Sequence, residues 1–285
     1  MLGMNIDRMV LKVFVFFLLV SVLIFYFAIK ARTILYDKPV FKFVSAKEFF
    51  DNYYNDSVIL DLRDYEKYRA LHANGAVHFS CDYLFETSLG IPRKIKQVER
   101  LIYTLSEAGI SVDKNVGIFC DRIEDGMVLS AILSIFKVRG VYIIKDGFEQ
   151  WQKQALPTTI KIKTISRGYI PFKLSKMFYE NVIWDLNKTV ENIDRVYKVG
   201  VSNSKIQLIP GSIYIKPKFD FDRFVVGSYY NSNDITKDKK ILLYGSDNYE
   251  VLLAYFALVV YLEYPYVTIF NGGINEWMAN NLPTK

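Results

Sequence analysis

Short apolar runs bounded by turn residues alternate along the chain with longer stretches whose apolar positions recur at helical spacing. Val58–Leu62 and Val116–Cys120 are rich in β-branched residues and flanked by Asn, Asp or Lys, which predicts buried strands. Lys94 to Ala108 has apolar residues at 95, 98, 101, 102 and 105, the spacing of one helix face. Met127 to Val138 and Tyr249 to Leu262 predict further helices, the second apolar nearly all round and therefore buried. Strands alternating with helices predict an α/β fold with parallel sheets.

One run breaks this rhythm. Val13 to Ile29 is uncharged and apolar, and at about 1.5 Å per residue it reaches the lower limit for crossing a bilayer core. Lys12 is placed to snorkel, and Phe25, Tyr26 and Phe27 sit where aromatic rings favour a membrane interface. The competing reading is a cleaved signal peptide, but its apolar region is shorter and Ile29-Lys30-Ala31 is a poor cleavage site. Residues 1–32 are therefore expected to be a single-pass transmembrane anchor. A short tail before the first apolar segment favours a body outside the cytoplasm, the periplasm if the source is bacterial.

The remainder contains one pattern twice. VGIFC (116–120), a loop, an apolar helix, VYIIKDGFEQW (141–151) and LPT (156–158) are followed by ILLYG (241–245), a loop, an apolar helix, VTIFNGGINEW (267–277) and LPT (282–284). Trp151 matches Trp277 and Leu156 matches Leu282, both at an offset of 126. Upstream, SVILDLR (57–63) is matched with NVIWDLN (181–187), placing Asp185 opposite Asp61, and Gly75 with Gly211. That alignment gives the second copy about a dozen extra residues before its glycine turn. The expected domains are 41–158 and 166–285, joined by the polar-alternating TTIKIKTIS as a linker or a small edge strand.

The 285 residues carry 51% hydrophobic and 23% charged side chains, which is globular composition and excludes a disordered chain. The formal charge of +6 suggests a polyanion partner until it is located: four Lys/Arg against one acid fall in residues 1–32, so half the surplus belongs to the expected anchor. No basic stripe remains, and no nucleic-acid partner is expected. Two cysteines and two histidines exclude a disulfide scaffold and multi-histidine metal sites, and no metal or cofactor is expected.

The matching elements of the first copy are Asp61-Leu62-Arg63, His72-Ala73-Asn74-Gly75-Ala76, the strand ending at Cys120 and Asp146-Gly147-Phe148-Glu149-Gln150-Trp151. In the second they are Asp185, Ile209-Pro210-Gly211-Ser212, Tyr244-Gly245 and Gly272-Gly273-Ile274-Asn275-Glu276-Trp277. With these elements in one order, twice, residues 41–285 resemble a tandem rhodanese, a sulfurtransferase family. The resemblance implies two rhodanese-like domains, each a parallel sheet flanked by helices, after one N-terminal transmembrane helix. It also implies a thiolate at the end of a central strand, in a loop leading into a helix N-terminus, which takes sulfane sulfur from an anionic donor such as thiosulfate as a persulfide.

Cys120 is the cysteine in that place, with Arg122, Gly126 and Arg63 as candidate substrate-binding residues. Its surroundings cut both ways. Asp121, Glu124 and Asp125 disfavour a thiolate and repel anions, unless the last two serve as helix caps. The second copy has Gly245-Ser246-Asp247-Asn248 at its corresponding loop and no cysteine, so it is expected to be noncatalytic. The alternative function is a noncatalytic rhodanese-like binding or scaffold module at the membrane that docks a protein partner. Phosphatase and arsenate chemistry are disfavoured because Gly126, not arginine, stands six positions beyond Cys120. Cys81 is expected to be a packed residue, a Cys81–Cys120 disulfide being conditional on distance, and His72 to make structural hydrogen bonds. Asp61 and Asp185 are expected to bind loop backbone, and Trp151 and Trp277 to plug each domain. Arg63 either lines the Cys120 pocket or pairs with Asp64 or Glu66.

Overall fold

The computed structural model describes residues 15–23, 39–88, 91–217 and 235–285. Two compact units are separated at Lys38/Pro39. In the first, residues 15–23 are helical. Among the described residues no helix is long and apolar enough to cross a membrane. The expected transmembrane helix and the single-pass location built on it are thus not borne out; the flanks of the Val13–Ile29 run lie outside the described residues.

The second unit holds two five-stranded parallel sheets. One is ordered β1 (Val40–Val44), β8 (Gly140–Ile144), β7 (Asn115–Phe119), β2 (Ser57–Asp61), β4 (Ala76–His78). The other is ordered β10 (Ile183–Trp184), β14 (Val267–Phe270), β13 (Ile241–Gly245), β11 (Tyr197–Val201), β12 (Ile213–Ile215). All residues of the two central strands β7 and β13 are buried, as continuous apolar runs in a sheet covered on both faces require.

Strand register corrects the upstream alignment. Val58 pairs with Val116 in one sheet and Tyr197 with Ile241 in the other, so the strand corresponding to β2 is β11. Asp61 sits beside Phe119, and the residue in that place beside Tyr244 is Gly200, not Asp185. Val44 pairs with Ile144 and Trp184 with Phe270, so Asp185 corresponds to Ser45. Both residues are N-caps: Ser45 Oγ accepts from the Glu48 N–H and Asp185 Oδ1 from the Lys188 N–H, starting α1 (Ala46–Asn52) and α7 (Leu186–Asn192). With β11 in place the dozen extra residues disappear. Gly75 and Gly211 do correspond, at φ of 81° and 78°, in tight turns that a side chain would strain.

The tryptophans behave as expected. Trp151 is fully buried, its ring edge-on to Phe119 and Phe50, and its Nε1–H donates to the Pro157 carbonyl at 3.0 Å. Trp277 repeats the device on Pro283 at 2.8 Å, which explains why Leu-Pro-Thr follows each tryptophan at the same distance. The 158–166 segment is partly strand: β9 (Thr158–Thr159) pairs antiparallel with β3 (His72–Ala73).

Lys94 does not start a helix. It lies in β6 (Ile91–Ile95), which forms an antiparallel hairpin with β5 (Phe85–Ser88), and the helix that follows is α3 (Val98–Glu107). This hairpin reaches the second sheet. Asn271, just past β14, accepts from the Ile95 N–H at 2.8 Å and donates to the Ile95 carbonyl at 2.9 Å, matching a peptide with an amide. Asn248 Nδ2 in turn donates to the Asn271 carbonyl and side-chain oxygen. Lys94 pairs with Glu276 at 3.2 Å and Arg93 with Asp247 at 2.8 Å.

Candidate active site

Cys120 directly follows the last residue of β7 and precedes α4 (Ile123–Ile135), the arrangement that aims a thiol at a helix N-terminus. The helix begins four residues earlier than its apolar run suggests, so Glu124, Asp125 and Gly126 occupy its first turn rather than the loop. The Gly126 backbone N–H lies near the Cys120 sulfur and favours its thiolate. A Cβ on Gly126 would lie 3.3 Å from Cys120 Sγ and 3.2 Å from Ile143 Cγ2, so glycine lets the turn close on the sulfur.

The thiol is only 8% exposed. Burial pushes its pKa up to about 12; the Gly126 N–H opposes this, while Asp125, Asp121 and Glu124 add to it. Burial and then Asp125 likewise push the Cys81 thiol up. Both cysteines are free. The Asp125 carbonyl accepts from Cys81 Sγ at 3.2 Å, and the next residue, Gly126, packs on the Cys120 sulfur.

The three carboxylates divide their attention. Asp121 pairs with Lys67 at 2.5 Å. Asp125 Oδ1 accepts from the Tyr249 hydroxyl at 2.7 Å, and neither Glu124 nor Asp125 caps α4, whose N-cap Arg122 makes no side-chain cap bond. Arg122 Nη2 donates to the same Tyr249 oxygen at 3.3 Å. Tyr249 opens α8 (Asn248–Tyr255) of the second sheet, where Asp247 Oδ1 caps its backbone N–H at 2.9 Å. The guanidinium carbons of Arg93 and Arg122 lie 5.0 and 5.6 Å from its ring centroid. Burial and then Asp125 hold the phenol far above its ordinary range, so it remains a donor.

Of the expected site residues, Gly126 lies against Cys120, and Arg122 lies two residues on from Cys120 with its guanidinium on Tyr249. Arg63 is committed elsewhere: Nε bonds Asp61 Oδ1 at 2.9 Å, Nη2 bonds Asp61 Oδ2 at 2.6 Å and the Leu71 carbonyl at 2.9 Å, and the guanidinium stacks on Phe148 at 3.9 Å. Its partner is Asp61 rather than Asp64 or Glu66, because Asp61 is fully buried at a strand end and needs a charge-matched fork. Asp61 also accepts from the Arg63 N–H at 3.1 Å. His72 stacks on Tyr68 and meets its carbonyl at 2.7 Å, a structural use. Tyr249, Arg93 and Asn271 were not legible as site residues, since each acts across about 120 residues of sequence or more. Among the described residues no group of three or more His, Cys, Asp or Glu is placed to hold a metal.

No curated protein sequence matches the chain. Solved structures do match in fold. SseA from Escherichia coli, described by its rhodanese fold and as a 3-mercaptopyruvate sulfotransferase, superposes with a TM-score of 0.61 at 18% identity, over 81% of this chain and 98% of that one. YnjE superposes at 0.63 with 14% identity over 85% and 67%. An anaerobic ergothioneine biosynthesis enzyme from Chlorobium limicola, in complex with trimethyl histidine, gives 0.60 with 16% identity over 85% and 69%. At these identities the likeness is one of fold. The rhodanese-like domain family matches residues 45–154, the stretch that carries the Cys120 loop, and the chain therefore contains a rhodanese-like domain.

Proposed function

We propose that the chain is a tandem rhodanese-like sulfurtransferase in which Cys120 accepts sulfane sulfur and the second half, lacking a cysteine, shapes the site. The observation that carries this reading is the Cys120 sulfur just past the end of β7, with Gly126 in the first turn of α4 packed closely against it. The tandem reading is supported by the shared strand order of the two sheets and by the coverage of SseA along nearly its whole length. The Cys120 thiolate attacks the outer sulfur of thiosulfate; the S–S bond of the donor breaks, sulfite leaves with the bonding pair, and a Cys120 persulfide remains. The thiol proton passes to solvent. A nucleophilic acceptor then takes the outer sulfur and returns the thiolate. Arg122 beside the loop supplies the positive charge that an anionic donor needs.

The raised Cys120 pKa favours the second reading, a noncatalytic module that binds a protein partner. At about pH 7, a thiol of pKa about 12 is ionised in only about one molecule in 10⁵, against one in 10² for an unperturbed cysteine. The two readings separate on one assay. Sulfite release from thiosulfate with a thiol acceptor should proceed with wild type and Cys81→Ser and vanish in Cys120→Ser. Equal release from wild type and Cys120→Ser refutes the enzyme.

A further inference from the structure

We propose that Tyr249 is a positioning residue that holds the Arg122 guanidinium apart from the neighbouring Asp125 carboxylate, so that the half without a cysteine sets the preference of Cys120 for anionic reagents. The inference rests on the reading of Cys120 as the reacting thiol. Arg122 and Asp125 lie three positions apart across the start of α4, close enough for an ion pair. No such pair forms among the described residues. The Tyr249 hydroxyl stands between them instead, donating to Asp125 at 2.7 Å and accepting from Arg122 at 3.3 Å.

The tyrosine is itself well fixed. It is 7% exposed, its backbone is capped by Asp247, Asp247 pairs with Arg93, and Arg93 packs at its ring. Asp125 is bonded by a neutral donor that satisfies it without neutralising it, while among the described residues Arg122 has one long hydrogen bond and a ring contact. A cation held so loosely retains donors for an incoming anion. Asp121 does not compete, being paired with Lys67. Without the phenol oxygen, Arg122 and Asp125 lose the group between them and close on each other, and the anion loses its counter-charge.

Paired alkylation of the full chain reads this directly. Iodoacetate and iodoacetamide both form an S–C bond on Cys120 and expel iodide, but only the first carries negative charge. Peptide-level mass spectrometry follows Cys120 separately from Cys81. In Tyr249→Phe the iodoacetate/iodoacetamide rate ratio should fall about threefold, the size of one partly exposed charge contact. The iodoacetamide rate should stay within about twofold, since the thiol surroundings are otherwise kept. Arg122→Gln should lower the ratio similarly, and adding Tyr249→Phe to it should have no further effect. A ratio unchanged in Tyr249→Phe, or both rates moving by the same factor, overturns the proposal. If the ratio falls while sulfite release is absent from wild type, the positioning stands and the sulfurtransferase reading fails. If sulfite is released and the ratio does not move, the reverse holds.

Discussion

Asn271→Ala tests how the two sheets are joined around the site. The side chain makes two buried hydrogen bonds to one residue, Ile95, at 2.8 and 2.9 Å, and Ile95 is fully buried. Truncation leaves the Ile95 N–H and carbonyl without partners and takes one acceptor from Asn248. Unmade buried hydrogen bonds cost about 1–3 kcal/mol each, so the loss of two should be about 2–6 kcal/mol. Two measurements follow. With a denaturant slope of about 2–3 kcal/mol per molar, the urea midpoint should fall by about 1 M or more. Amide exchange at Ile95 should accelerate at least about 30-fold, the factor for the low end of that range. Asn271→Asp is the sharper control: it keeps an acceptor for the N–H but turns a carboxylate oxygen toward the Ile95 carbonyl. It should be at least as damaging at neutral pH and partly recover in acid. An Ile95 exchange rate within about threefold of wild type in Asn271→Ala refutes the reasoning.

Other consequences are local. Arg63→Ala leaves the fully buried Asp61 carboxylate uncompensated and should cost about 3–5 kcal/mol in urea denaturation, whereas a role confined to substrate binding would leave stability unchanged. The folded Cys120 pKa lies above its unfolded value, so the folded state holds its proton more tightly and this contribution to stability is lost as pH rises from about 9 toward 12. Between pH 9 and 10 wild type should therefore lose about 1 kcal/mol more stability than Cys120→Ala; parallel pH curves would contradict the buried-thiol account.

What the sequence revealed depended on range. The Cys120 strand end and the tryptophan plugs are local motifs, each written within a dozen residues or so, and they stand where expected, whereas Gly126 lies in the first turn of α4 and not in the loop before it. The Asp61–Asp185 match failed because two different devices share one spelling. A buried strand ending in Asp and a two-residue edge strand followed by an Asp N-cap both read as β-branched residues, Asp, Leu. The true counterpart, Gly200, shares nothing with Asp61: a Cβ there would meet Tyr244 Oη at 3.2 Å, and that hydroxyl bonds the Ile209 N–H. The 85–95 hairpin was hidden because Lys94 and Ile95 extend the helical apolar spacing of α3 backward into a strand. Tyr249 and Asn271 looked like core and loop residues, since their partners are far away in sequence. The apolar run at 13–29 predicted a span from its length and composition, and among the described residues no helix is long and apolar enough to cross a membrane.

The central claim concerns one sulfur atom. The most direct measurement is the intact mass of the full chain after incubation with thiosulfate or a persulfide donor and removal of excess reagent. The account predicts a gain of about 32 Da, one sulfur, on wild type and Cys81→Ser, reversed by a thiol reductant and absent from Cys120→Ser. An unchanged wild-type mass, or the same gain on Cys120→Ser, would contradict it.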